Sequence, residues 1–227
     1  ASVRRAPSRL GQTAAWALRG PTRGEATVTA VVRRICVVGD ELVAGVGDAK
    51  ALGWLGRVTA RTAVEPPLVV LPLPVPGETT AGLAARWEVE VMLRLGPEPT
   101  PGDHLVVALG HADLDAGISL ARSRLNLANV LDTAESRRLR TLVVGPPPSA
   151  RHEPDRQAEL SAAFADVTTR RRIPYVETYA PLARHEQWLA DLAEGDGRLP
   201  GQAGYGLMAW LVLHSGWHRW LGLPDDV

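Results

Sequence analysis

Five short β-rich runs, residues 34–38, 68–73, 105–109, 141–144 and 175–177, punctuate the chain, and Gly or Pro follows them before stretches with helical spacing. Strands alternating with helices predict a parallel sheet covered on both faces. The spacing predicts helices over 51–63, 79–95, 118–138, 155–171, 181–193 and 202–221. In the last, Leu207, Trp210, Leu211, His214 and Trp217 fall on or near one face, which reads as core packing. In such a sheet ligands sit beyond the carboxyl ends of the strands. The informative loops are therefore "GDELVAG", "VPGETT", "LGHADL", "VGPPPS" and the late "DGRLPGQAGYG".

Size narrows this to one α/β domain, because 227 residues with 45% hydrophobic content support a single sizeable core. The expected division is an N-terminal extension, 1–31, and a domain, 32–227. The extension carries Arg4, Arg5, Arg9, Arg19 and Arg23 and a helix expected over 10–19. Its stretch "TAAWAL" is too short for a signal-peptide core or a membrane helix, so no membrane span is expected and a cytoplasmic location fits. A formal net charge of +0 argues against nucleic acid as the main partner, although a local basic patch would be hidden in this sum. Cys36 is the only cysteine, which excludes an intrachain disulfide and a CxxC metal site. Its place inside an apolar run makes it a core residue.

Taken in order, the loops resemble the sequence blocks of the SGNH (GDSL-type) hydrolases. "GDELVAGVGD" is similar to the family's GDSxTxGxGD opening, and "GETT" carries the second-block glycine as Gly77. "LGHADL" resembles GxND, and "DGRLPGQAGYGLMA" resembles DGxHPNxxGYxxMA. The likeness runs from about Arg34 to Leu221. It implies a three-layer α/β/α, flavodoxin-like fold with a five-stranded parallel sheet. It also implies ester, acyl or acetyl hydrolysis by a serine, with Gly and Asn in an oxyanion hole and a late Asp–His pair.

Carried over position by position, that chemistry is incomplete. Glu41 stands at the serine position, Ala112 at the asparagine and Leu199 at the histidine, while Gly77 and Asp196 match. A carboxylate attacks a carbonyl only by forming an anhydride, and Leu199 neither takes nor returns a proton. Loss of one oxyanion donor costs on the order of 10²–10³ in rate in hydrolases that use one. The first expectation is thus a degenerate pseudohydrolase that keeps a ligand cleft, with Asp40, Glu41, Gly77, Gly110, Ala112 and Arg198 around it.

The alternative is a divergent enzyme acting on a small ester, acyl or related substrate, with Glu41 and either Asp196 or His111 as acid/base groups. A conventional esterase using Ser119 or Ser149 ranks last, since neither lies in a nucleophile-like turn beside a histidine. Plainer roles compete at each residue. Glu41 suits a helix N-terminus, and Asp40 and Asp196 suit turns that hydrogen-bond their own backbone. The reading puts Glu41 near the like charge of Asp196, with Arg198 within reach. Asp40, Glu41, His111 and Asp196 lack a recognised ligand spacing, so no metal and no cofactor is expected. His111 is the histidine expected at the pocket rim; His104, His152, His185, His214 and His218 read as surface or packing residues. Trp54 is expected to pack the first helix on the sheet. Ligand identity, protein partner and oligomeric state are not legible.

Overall fold

The structure, a computed structural model, describes residues 31–224. The helix expected over 10–19 and the linker after it lie outside the described residues. Chain order begins with β1 (Arg34–Gly39), α1 (Glu41–Ala44), α2 (Gly53–Ala60), β2 (Val69–Pro74), α3 (Thr80–Leu95) and β3 (Asp103–Ala108). It continues through α4 (Ala112–Asp115), α5 (Leu120–Ser136), β4 (Arg140–Val144), α6 (Pro154–Arg170) and β5 (Tyr175–Val176). The last third holds α7 (Tyr179–Leu182), α8 (Glu186–Glu194), α9 (Gln202–Val212) and α10 (His218–Trp220). Among the described residues the strands form one parallel five-stranded sheet in the order β2-β1-β3-β4-β5.

The pleat explains why the strands read as continuous apolar runs. Successive side chains point to opposite faces, and both faces are covered, so the middle of each central strand is apolar, while Arg34, Asp103 and Arg140 stand at strand starts. Ile35, Val37, Val106, Leu142 and Val144 enter one core, beneath Trp54 and Val58 of α2, Trp188 of α8 and Met208 and Val212 of α9. Cys36, Val38, Leu105, Val107 and Val143 enter the other, beneath α3, α5 and α6 through Leu83, Trp87, Leu127, Leu131, Leu160 and Phe164. Burial pushes the Cys36 thiol up to about 11, so it stays a neutral packing group. Among the described residues no helix is long and apolar enough to cross a membrane.

Two helix expectations need correction. The helix expected over 181–193 is two: α7 starts early because the Glu177 carboxylate accepts the N–H groups of Tyr179 and Ala180. His185 is then extended, and α8 starts afresh. That turn seats Trp188 in the core, where its indole N–H donates to the Pro148 carbonyl at 3.0 Å. The helix expected over 202–221 loosens after Val212 into a wider turn, Leu213–Trp217, in which Gly216 adopts a left-handed φ of 90°. Its buried stripe is Tyr205, Met208, Ala209 and Val212, at helical i, i+3, i+4 and i+7 spacing. Trp210 lies off that stripe, 56% exposed and stacked on His214 at 4.1 Å, so it is not a core residue.

Candidate functional site

The site forms where the turns after β1, β2 and β3 meet the loop before α9. β1 ends at Gly39, where a Cβ would collide with the Ala108 carbonyl of β3. The chain then turns on Asp40, which caps α1: Oδ1 accepts the Leu42 N–H at 3.0 Å. Its other oxygen accepts the Gly110 N–H at 2.8 Å, tying the β1 turn to the β3 turn. Burial pushes the Asp40 carboxyl up to about 6, although the two backbone donors and the charge of Arg198 pull the other way.

Glu41 opens α1 and is 4% exposed. One carboxylate oxygen accepts the Gly77 N–H at 2.7 Å, and the other takes the guanidinium of Arg198. Gly77 presents that N–H from a left-handed φ of 66°, a conformation glycine takes without steric cost. Asp113, the aspartate of the GxND-like block, accepts both the backbone N–H of Thr80 at 2.8 Å and its hydroxyl at 2.7 Å. The Asn126 amide donates to the same hydroxyl at 3.0 Å. Ala112 is buried and offers no side-chain donor, while Leu199 is half-buried against the first core.

Asp196 takes the plainer of the roles expected for it, holding its own turn. Its carboxylate is exposed, accepts the Arg198 N–H of its own loop at 2.8 Å and pairs with Arg151 at 3.2 Å. Those backbone donors, and then Arg151, hold it below its ordinary range. Glu41 is buried against Gly77 and Arg198. The loop closes on its own aspartate and turns it outward.

His111 lines the pocket, as expected. Its Nε2 is buried without a partner among the described residues, and burial, helped by nearby His152, pushes it down to about 3. It is neutral at physiological pH. His152, read from sequence as surface or packing, lies 5.5 Å ring to ring from His111, and its Nε2 is 3.2 Å from Asp115 Oδ1. The signal for it was available, because the segment "VGPPPSARH" leaves the carboxyl end of β4. Ser149 joins it, donating its hydroxyl to the Gly197 carbonyl at 3.1 Å.

Asp40, Glu41, Gly110, His111, Ala112, Ser149, His152, Arg198 and Leu199 enclose about 20 Å³. That is room for roughly one water. Across Ser149 and His152 lies a cavity of about 930 Å³ between the Pro148–Asp155 segment, α6, α7 and α8. Among the described residues no group of three or more His, Cys, Asp or Glu could hold a metal ion.

The sequence matches the model of the GDSL-like lipase/acylhydrolase family over residues 37–207. The chain belongs to that family. Solved structures with the same fold include a lipase/acylhydrolase from Enterococcus faecalis, 24% identical, with a TM-score of 0.70 over 86% of this chain and 100% of that one. A psychrotrophic esterase, EstA, from Pseudoalteromonas sp. is 19% identical, with a TM-score of 0.66 over 84% and 99% of the two chains. The acetylxylan esterase Axe2 from Geobacillus stearothermophilus is also 19% identical, at 0.64 over 86% and 96%. No curated protein matches. At these identities the structural likenesses speak for the fold, and the three-layer GDSL-like architecture is what they share.

Proposed function

We propose that this GDSL-like chain is a catalytically degenerate member of its family, a pseudohydrolase that binds a ligand or partner instead of hydrolysing one. The observation that carries the reading is the Glu41 carboxylate, which sits on the Gly77 N–H and the Arg198 guanidinium. By resemblance, that N–H is the donor an oxyanion would need, and here the chain's own anion consumes it. Ala112 supplies no second donor and Leu199 no base. In this reading Glu41, Gly77 and Arg198 form a clamp that closes the family's centre, while Asp40 and Gly110 hold the turns beneath it. Asp196 then serves its own loop, and ligand binding moves to the roomier cavity beyond Ser149 and His152.

A fluorophosphonate probe and a short-chain nitrophenyl ester test this directly. Neither labelling nor turnover is expected, and stoichiometric labelling of any serine overturns the reading. Triple reversion, E41S/A112N/L199H, is expected to restore weak turnover where each single reversion does not, because such residues act as a unit.

One observation favours a second reading, a divergent acid/base enzyme. His152 and Asp115 form a histidine–carboxylate pair beside both cavities. In that case turnover of a small substrate would vanish in H152A and survive in E41A.

A further inference from the structure

At the pole of the sheet opposite the GDSL-like centre, α5 and α6 end and hand the chain to β4 and β5. Two adjoining cavities open there, of about 460 and 250 Å³, sharing Arg140, Thr141 and Ile173. Arg138, Arg140, Arg171, Arg172 and Arg219 line them, against one acidic wall residue, Glu135. The larger lies in the size range of small-ligand sites, roughly 300–1,000 Å³.

Helix polarity accounts for part of this charge, since cations favour helix carboxyl ends. It does not account for where two of the arginines stand. Arg138 and Arg172 each follow the last turn of a helix in the left-handed region, at φ 59° and 55°. Both ends close the same way: Arg138 and Leu139 donate to Glu135 and Ala134, and Arg172 and Ile173 donate to Thr169 and Thr168. Glycine is the usual residue at such a position, because a Cβ there meets a steric cost. Arg171 already pairs with Asp132 through two bonds of 2.6 and 2.9 Å. Arg140 reaches the Trp220 carbonyl at 3.5 Å. The exposed guanidinium groups of Arg138 and Arg172 have no side-chain partner among the described residues. Trp220 flanks the larger cavity with a buried indole N–H that also lacks one.

We propose that this groove binds a small polyanion through its phosphate groups. Guanidinium forks match phosphate oxygens in bidentate geometry, and forks spread over two adjoining cavities favour a ligand with more than one phosphate. The inference is independent of whether the GDSL-like centre is active.

Calorimetric titration of the whole chain with tripolyphosphate, and separately with ATP, at near-physiological salt tests it. Saturable binding is expected, weakened about tenfold or more in R138G/R172G. The same variant is expected to hold or raise its thermal midpoint, because glycine relieves both left-handed positions. R138K/R172K, which keeps charge and loses the forks, is expected to fall between. ATP binding much more tightly than tripolyphosphate assigns the phosphate to a nucleotide; equal affinities assign it to free polyphosphate. Absence of saturable binding, unchanged affinity in R138G/R172G, or displacement of tripolyphosphate by sub-stoichiometric duplex DNA overturns the proposal. A fall in midpoint without any binding heat would leave the arginines as helix-end charges.

Discussion

The two sides of the GDSL-like cleft treat their carboxylates differently. On one side Asp40 and Asp113 are buried and spend their oxygens on neighbouring turns: Asp40 on Leu42 and Gly110, Asp113 on Thr80. On the other, Glu41 faces Gly77 and Arg198, and Asp196 lies in solvent beside Arg151. The first side matches the family's letters; on the second Gly77 and Asp196 match, and Glu41 replaces the serine. The block motifs thus mix two tasks, closing loops over a sheet and doing chemistry. Loop closure persists here in residues whose removal would strand buried donors. Of the replaced chemical positions, only Glu41 keeps a tie of this kind, to the Gly77 N–H.

The largest effect is expected on the loop-closing side. Asp113→Ala leaves the Thr80 N–H and hydroxyl without their acceptor in a buried site, which costs about 3–5 kcal/mol. At this chain length that is a fall of roughly 10 °C or more in thermal midpoint, read by calorimetry. A loss below about 1 kcal/mol would break the comparison, because Asp113 would then be no more structural than the replaced positions.

Next comes pH. The ordinary histidine value is near 6.5 and His111 is held at about 3 in the fold. The unfolded chain therefore takes a proton as pH falls below about 6.5, while the folded chain stays neutral, so stability is lost as pH falls through that window. Asp40 acts oppositely. Its folded value of about 6 lies above the ordinary carboxyl value, so its contribution favours the fold at low pH and is lost as pH rises from about 4 to 6. Urea unfolding of H111F and wild type between pH 7 and 4 separates the two. The wild type is expected to lose on the order of 3 kcal/mol more than H111F. Parallel pH profiles would mean that His111 reaches water.

Much of the architecture was legible because it rests on patterns with one solution. The stretches 35–38 and 105–109 are apolar at every position, which suits a sheet covered on both faces. The loop motifs put Glu41, Gly77, Gly110 and Arg198 at one end of that sheet, where the structure has them. What failed to show was set by single torsions and single pairings. Gly216 ends the regular helix early, Trp210 lies off the buried stripe of α9, and the Arg151 salt bridge and loop N–H groups hold Asp196 outward. His152 was passed over because its partners, His111 and Asp115, lie about 40 residues earlier and on a different turn.

A smaller effect is expected from opening the clamp. Glu41→Ala removes the acceptor of the Gly77 N–H and the partner of Arg198. Arg198 is partly exposed and turns to water, so the cost is about 1–2 kcal/mol. Glu41→Gln, which keeps an acceptor and loses the charge, is expected to cost less. Urea midpoints order the three proteins, and a Gln variant less stable than the Ala variant would show that Arg198 is too confined to hydrate.

The smallest effect is expected at Asp196. Its ion pair with Arg151 is exposed on both sides, and such pairs contribute about 0–1 kcal/mol. Its bond to the Arg198 N–H is the one route by which it bears on the clamp, because that loop presents the Arg198 side chain to Glu41. A double-mutant cycle isolates this route. If D196A and E41A add within about 0.5 kcal/mol, Asp196 serves only its own turn, and the two sides of the cleft differ as described. If they fall short of additivity by 1 kcal/mol or more, Asp196 positions Arg198 and the late block still acts on position 41. It would then do so through an arginine and a glutamate, in place of the histidine and serine of the family.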